Sequence, residues 1–271
     1  MGYLFDPANW EWLTAGSNFR FMLDGFIINL EIAIIAMALS LILGLALALL
    51  RISKRTWIKV PTGLWIDVWR NLPLIFIILY FFIALPRGIK DAYADWAPSF
   101  FPEAFQSPAI LAAVIGLTLY NSAVIAEIMR AGIQSLEKGQ GEAAAALGLP
   151  NAKAMRLIIL PQALRRMVPA TVSQLITLTK DTSLVSIIGI QELMRHSRIV
   201  VNTSGSPFTG SGVDAPLLQV FMIAGAMFVA FNFLLSRLSR RLELRERRIT
   251  GIKVEPVTGL EEQVAQDAAI P

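Results

Sequence analysis

The chain has 271 residues, of which 55% are apolar and only 16% charged, with a net charge of +4 and a mean hydropathy of +0.59. A soluble globular domain carries about a quarter charged residues, so this composition excludes an ordinary soluble fold and makes membrane spans the unit to count. The absence of cysteine excludes disulfides and thiolate metal sites, and in a membrane protein the basic excess marks cytoplasmic loops, not a nucleic-acid surface.

Residues 1–20 precede the first span and contain no charged leader, since the first basic residue is Arg20. Trp10, Trp12, Phe19 and Phe21 point to a segment at the outer membrane interface, with an irregular tail as the alternative. The first span covers 21–50, with Asp24 near its outer end and Glu31 deeper, placed to meet substrate or a neighbouring arginine. The second covers 64–85, and an aromatic, proline-rich outer loop follows at 86–107. The third covers 108–128 and the fourth 168–190, the latter interrupted by Lys180 and Asp181. The loop 191–214 is rich in Gly, Ser and Thr, and its His196 reads as a solvated side chain. The fifth span covers 215–236, and 239–271 reads as a charged, disordered tail. Each span is near the roughly 20 residues a bilayer core requires, whereas barrel strands are about half as long and alternate in polarity. The expected fold is an all-α integral membrane protein with a permease domain at 21–238.

Basic residues fix the expected orientation. Arg51, Lys54, Arg55 and Lys59 follow span one, Arg130, Lys138, Lys153, Arg156, Arg165 and Arg166 follow span three, and Arg237, Arg240, Arg241 and Arg245 follow span five. The positive-inside rule places these in the cytoplasm, the N-terminus outside and the C-terminus inside.

Residues 139–161 read GQGEAAAALGLPNAKAMRLIILP on the cytoplasmic side between spans three and four. Glu142 to Leu149 are strong helix formers, Pro150 cannot continue a helix, and a second helix over 152–160 is expected to end near Pro161. Together with AEIMRAGIQSLEKGQGEAAAALGL upstream, LPQA and KDTSLVSIIGIQEL downstream, and Arg70-Asn71-x-Pro73-Leu74, this stretch resembles the polar amino acid family of ABC importer permeases, the histidine, glutamine and glutamate type. The likeness covers about 60% of the chain, roughly 29–193, and the long charged C-terminal extension departs from it. The resemblance implies a five-span type I importer subunit in a bacterial inner membrane. It implies pairing with a second copy or a paralogous permease, two ATPase subunits below, and an extracytoplasmic amino-acid-binding protein above. Glu142, Ala143, Ala144, Gly148 and Pro161 then form the EAA loop that docks on the ATPase.

Charges inside spans are costly and mark a pathway or an internal pair. Lys180 and Asp181 lie near mid-membrane and suit the carboxylate and ammonium of a zwitterion, with an interhelical salt bridge as the structural alternative. Gln174, Thr177, Ser183, Asn121 and Glu31 complete the candidate substrate path, while Glu127 and Arg130, at i,i+3 spacing, suit a structural pair. No phosphate-binding loop, metal cluster or nucleophile–base pair is present, so the chain is not expected to be an enzyme or to hold a cofactor. ATP and Mg would be bound by the partner ATPase. An ion-gradient transporter is the less favoured alternative, because internal repeats are missing, and a non-transporting scaffold has no need of mid-span charges. Within the family, glutamate or glutamine is favoured over basic amino acids or another small polar solute.

Overall fold

The computed structural model describes residues 6–136, 138–202 and 215–250, and the regular elements among them are helices. Helix α1 (Asn18–Arg51) is followed by α2 (Thr56–Asn71), α3 (Leu74–Ala84), α4 (Arg87–Trp96) and α5 (Ala109–Gln134). After α6 (Lys138–Ala146) come α7 (Leu160–Asp181), α8 (Leu193–Asn202) and α9 (Leu217–Thr250). Helices α1, α5 and α9 are long and apolar enough to cross a membrane, and α2 with α3 makes a fourth candidate if the pair counts as one bent span.

α1 packs along α5 at the centre of the molecule, and its face is chosen by small and polar residues. Gly25, Asn29, Ser40 and Gly44 are buried on it, whereas Ile27, Ile34 and Ile42 point outward. Small residues let membrane helices approach closely. At Gly44 a Cβ would lie 2.6 Å from Ile125 Cγ2, 2.9 Å from Ile125 Cβ and 3.0 Å from the Ser122 carbonyl oxygen. A few residues away the Ser40 hydroxyl donates to the Thr118 carbonyl at 3.3 Å. Gly44→Ala should therefore force α1 from α5 and cost about 1–3 kcal/mol, read as a lower melting temperature in mild detergent. An unchanged melting temperature would show that the contact is loose.

The expected second span, 64–85, is not one straight helix. α2 and α3 meet at 100°. Pro73 has no N–H to donate, and it holds Leu72 in an extended conformation, with φ −80° and ψ 135°. The helix therefore breaks there, and α3, with 11 residues, reaches about 16 Å, half the hydrocarbon thickness.

The fourth span also differs. α7 already carries Arg165 and Arg166 as well as Lys180 and Asp181, and it is too polar to stand among the apolar crossings. At Thr182 the helix tightens into a 3-10 segment that runs to Ile188. At the other end, α9 carries the chain in helix to Thr250, so the disorder expected from 239 does not begin there. Residues 251–271 and much of the loop 191–214 lie outside the described residues.

The described part of the N-terminal segment is helical. Residues Pro7–Trp10 and Glu11–Thr14 form two short turns of helix. Trp12 is fully buried in a cluster with Met22, Phe26, Leu193 and Val220, so it is a core residue and not an interfacial ring. The Asn18 amide donates to the Trp12 carbonyl at 2.8 Å and ties the segment to α1.

Candidate functional site

α6 ends in a Schellman turn. Leu149 N–H donates to the Ala144 carbonyl at 3.0 Å and Gly148 N–H to Ala145 at 2.9 Å, with Gly148 in the left-handed conformation at φ +74°. Pro150 then starts a new direction. Glu142, Ala143, Ala145 and Ala146 are exposed, Leu147 is 79% exposed, and Ala144 faces inward at 1%. The result is a small, smooth helical surface bearing one carboxylate and one leucine.

Pro161 does not end the second helix, contrary to expectation. Asn151–Ala154 runs into a π turn at Met155–Ile159 and on into α7 without a break. Leu160 N–H reaches back to the Met155 carbonyl, a five-residue step that accommodates the missing Pro161 donor. A continuous helix from 151 to 181 thus leads from the α6 turn to Lys180 and Asp181.

About three-quarters of the way along it, the Gln174 amide donates to Asn121 Oδ1 at 2.7 Å, and the Asn121 amide donates to the Leu117 carbonyl at 2.8 Å. These two residues join α7 to α5. Thr177 and Ser183 turn their hydroxyls onto their own helix, to the Ser173 and Lys180 carbonyls. Lys180 is exposed and Asp181 half-buried, and neither forms an ion pair with another described residue. The salt bridge considered from sequence is thus not made within the described chain. Glu31 stands apart, lining a cavity of about 340 Å³ with Ile34, Phe101 and Phe105, and its Oε2 has no hydrogen-bond partner. Glu127 and Arg130 are joined at 2.7 Å.

Sequence reasoning missed a second polar cluster. The Asn29 amide nitrogen donates to Thr182 Oγ1 at 3.1 Å and Glu192 Oε2 at 3.0 Å, while its oxygen accepts from Leu193 N–H at 3.0 Å. Glu192, fully buried, also accepts from Arg195 N–H at 2.9 Å, which caps α8. Burial pushes its carboxyl above the ordinary range, against the opposing pull of the Asn29 hydrogen bond. His196 is 5% exposed, not solvated. Its ring stacks on Phe21 at 3.9 Å, and its Nδ1 donates to the Phe21 carbonyl at 2.6 Å. Burial pulls its pKa below the usual value. The partners are too far apart in sequence for spacing to reveal them.

Residues 21–248 match the family model described as the binding-protein-dependent transport system inner membrane component. A protein of Bacillus subtilis (strain 168) described as a "probable glutamine ABC transporter permease protein" is 38% identical over 83% of this chain and 94% of its own. A glutamate/aspartate import permease protein of Escherichia coli is 31% identical over 85% and 97%, and an arginine transport system permease protein of Bacillus subtilis is 32% identical over 82% and 91%. Among solved structures, an amino acid ABC transporter with histidines aligns with a TM-score of 0.64 at 30% identity, over 84% of this chain and 94% of that one. The methionine transporter MetNI in an inward-facing form aligns with a TM-score of 0.65 at 16% identity over 84% and 97%, a likeness of fold alone.

Proposed function

The chain belongs to the inner-membrane components of binding-protein-dependent transport systems, and from that premise we propose that it forms the path for glutamine or glutamate in an ATP-driven importer. It is a membrane-embedded permease subunit of an amino acid ABC importer, with the type I permease fold. The family implies ATPase and binding-protein partners.

In this reading the exposed face of α6, with Glu142, Ala143 and Gly148, seats on an ATPase subunit that binds ATP and Mg. The observation that carries the reading is the unbroken helix from 151 to 181, which starts beside the α6 turn and ends at Lys180 and Asp181. A helix transmits displacement along its axis with little loss, so closure of the ATPases moves the polar residues at its far end. The N-terminus lies outside, and a second copy or a paralogous permease completes the path. Lys180 takes the substrate carboxylate and Asp181 its ammonium. Asn121 and Gln174 hold α5 and α7 together beside them. The positive charge of Lys180 suits a neutral or acidic side chain over a basic one.

The test is a pull-down of the tagged full chain in mild detergent, followed by uptake in vesicles holding the recovered complex and its binding protein. Recovery of a P-loop ATPase and uptake of labelled glutamine or glutamate supports the reading. A chain that is folded, monodisperse and reproducibly alone overturns the importer assembly. Uptake of arginine with no uptake of glutamine or glutamate overturns the substrate.

A further inference from the structure

The charged end of α9 presents an arginine-bearing face outside the proposed path. α9 has 34 residues, about 51 Å, more than the bilayer core needs. Twenty residues from Leu217, Arg237 stands about 30 Å along the axis, at the edge of the hydrocarbon. Arg241 follows one turn later and Arg245 one turn after that, on the face that also presents Leu234 and Leu238.

Arg237 and Arg241 line a cavity of about 470 Å³ together with Phe233, Leu234 and Leu238. The Arg237 guanidinium sits 4.8 Å from the centre of the Phe233 ring, which holds it against the apolar wall. Leu234 is 70% and Leu238 48% exposed. Neither arginine forms an ion pair with a described carboxylate. The opposite face is occupied, since the Ser239 hydroxyl donates to the Pro169 carbonyl of α7 at 3.1 Å. The arginine face therefore points away from the bundle.

We propose that this face is a binding site for an anionic phospholipid. Its phosphodiester lies between Arg237 and Arg241, and one acyl chain runs along Leu234 and Leu238. Guanidinium groups match phosphate oxygens in a bidentate fork. Leu234, about 26 Å along the axis, lies within the hydrocarbon, where the acyl chain of a lipid reaches it and free phosphate does not. The run of Arg237, Arg240, Arg241 and Arg245 favours a headgroup with net negative charge over a choline headgroup, whose ammonium would be repelled.

The experiment titrates phosphatidylglycerol and phosphatidylcholine onto the full-length chain in mild detergent, with bound lipid counted by native mass spectrometry. Phosphatidylglycerol should be retained in preference to phosphatidylcholine. Arg237→Gln with Arg241→Gln should weaken its binding about thirtyfold while elution and melting temperature stay unchanged, because both side chains are exposed. Leu234→Ser should weaken it separately and covers the case in which the double variant does not fold. Equal retention of the two lipids, or unchanged binding in the variants, overturns the proposal. Displacement by millimolar inorganic phosphate would mean a free-anion site, and loss of lipid on adding the ATPase subunit would mean a protein covers this face. Either result overturns it too.

Discussion

Gly148→Asp should insert into the membrane at the normal level and abolish uptake, lowering it at least about tenfold, while the partner ATPase still turns over. The argument starts from the backbone. At φ +74° the residue is left-handed, which costs an L-residue about 1–2 kcal/mol, with Asp and Asn the most tolerated. Nothing lies within 4 Å of an added Cβ, so the substitution meets no steric barrier and the permease fold survives it. What changes is the surface. A second carboxylate appears at the end of a helix that already exposes Glu142, beside a leucine that is 79% exposed. In the proposed docking, an apolar contact that must desolvate then carries a charge, a burial penalised unless it is paired. Gly148→Asn separates the causes, because it imposes the same backbone cost without the charge and should retain most uptake. Normal transport by Gly148→Asp would remove α6 from the coupling role.

Asn29→Ala should destabilise the fold by about 3 kcal/mol or more. The amide is fully buried and serves three groups at once: the Thr182 hydroxyl, the Glu192 carboxylate and the Leu193 N–H. Single interhelical hydrogen bonds in membrane proteins average only about 0.6 kcal/mol, so the bonds alone would give a modest loss. The larger cost comes from what stays behind, a fully buried carboxylate without its side-chain donor, worth several kcal/mol when stranded. A double-mutant cycle with Glu192→Ala isolates that share. The double variant should be less destabilised than the sum of the singles, as measured by melting temperature in mild detergent. Additive losses would mean that Asn29 and Glu192 act independently.

The parts of this molecule that were legible in the sequence are those with a strong local signal. Three crossings stand out because long apolar runs need no partner to be recognised, and the α6 surface stands out because helix formers, glycine and proline follow each other within a dozen residues. The packing face of α1 was not legible, since a helix apolar on every side has no pattern to orient it. Small and polar residues such as Gly25, Asn29, Ser40 and Gly44 mark that face, and each is unremarkable alone. Pro161 misled because proline usually stops a helix, and a wider turn upstream cancels its effect. Pro73 did the opposite and broke a run that hydropathy reads as continuous. His196 and Glu192 looked like loop residues because their partners Phe21 and Asn29 lie more than 160 positions earlier.

The wide turn at Met155–Ile159 has a geometric consequence for the two ends of the helix that contains it. One residue more than an α-helix would use is folded into that stretch, and each residue of a helix adds about 100° of rotation about the axis. The azimuth at which α6 meets whatever lies beneath is thus keyed to the azimuth of Lys180 and Asp181 far above it. Side chains in the stretch can vary with little effect on this phase. A change in their number cannot, because one residue gained or lost would swing the lower surface by more than a quarter turn while the helix stayed intact.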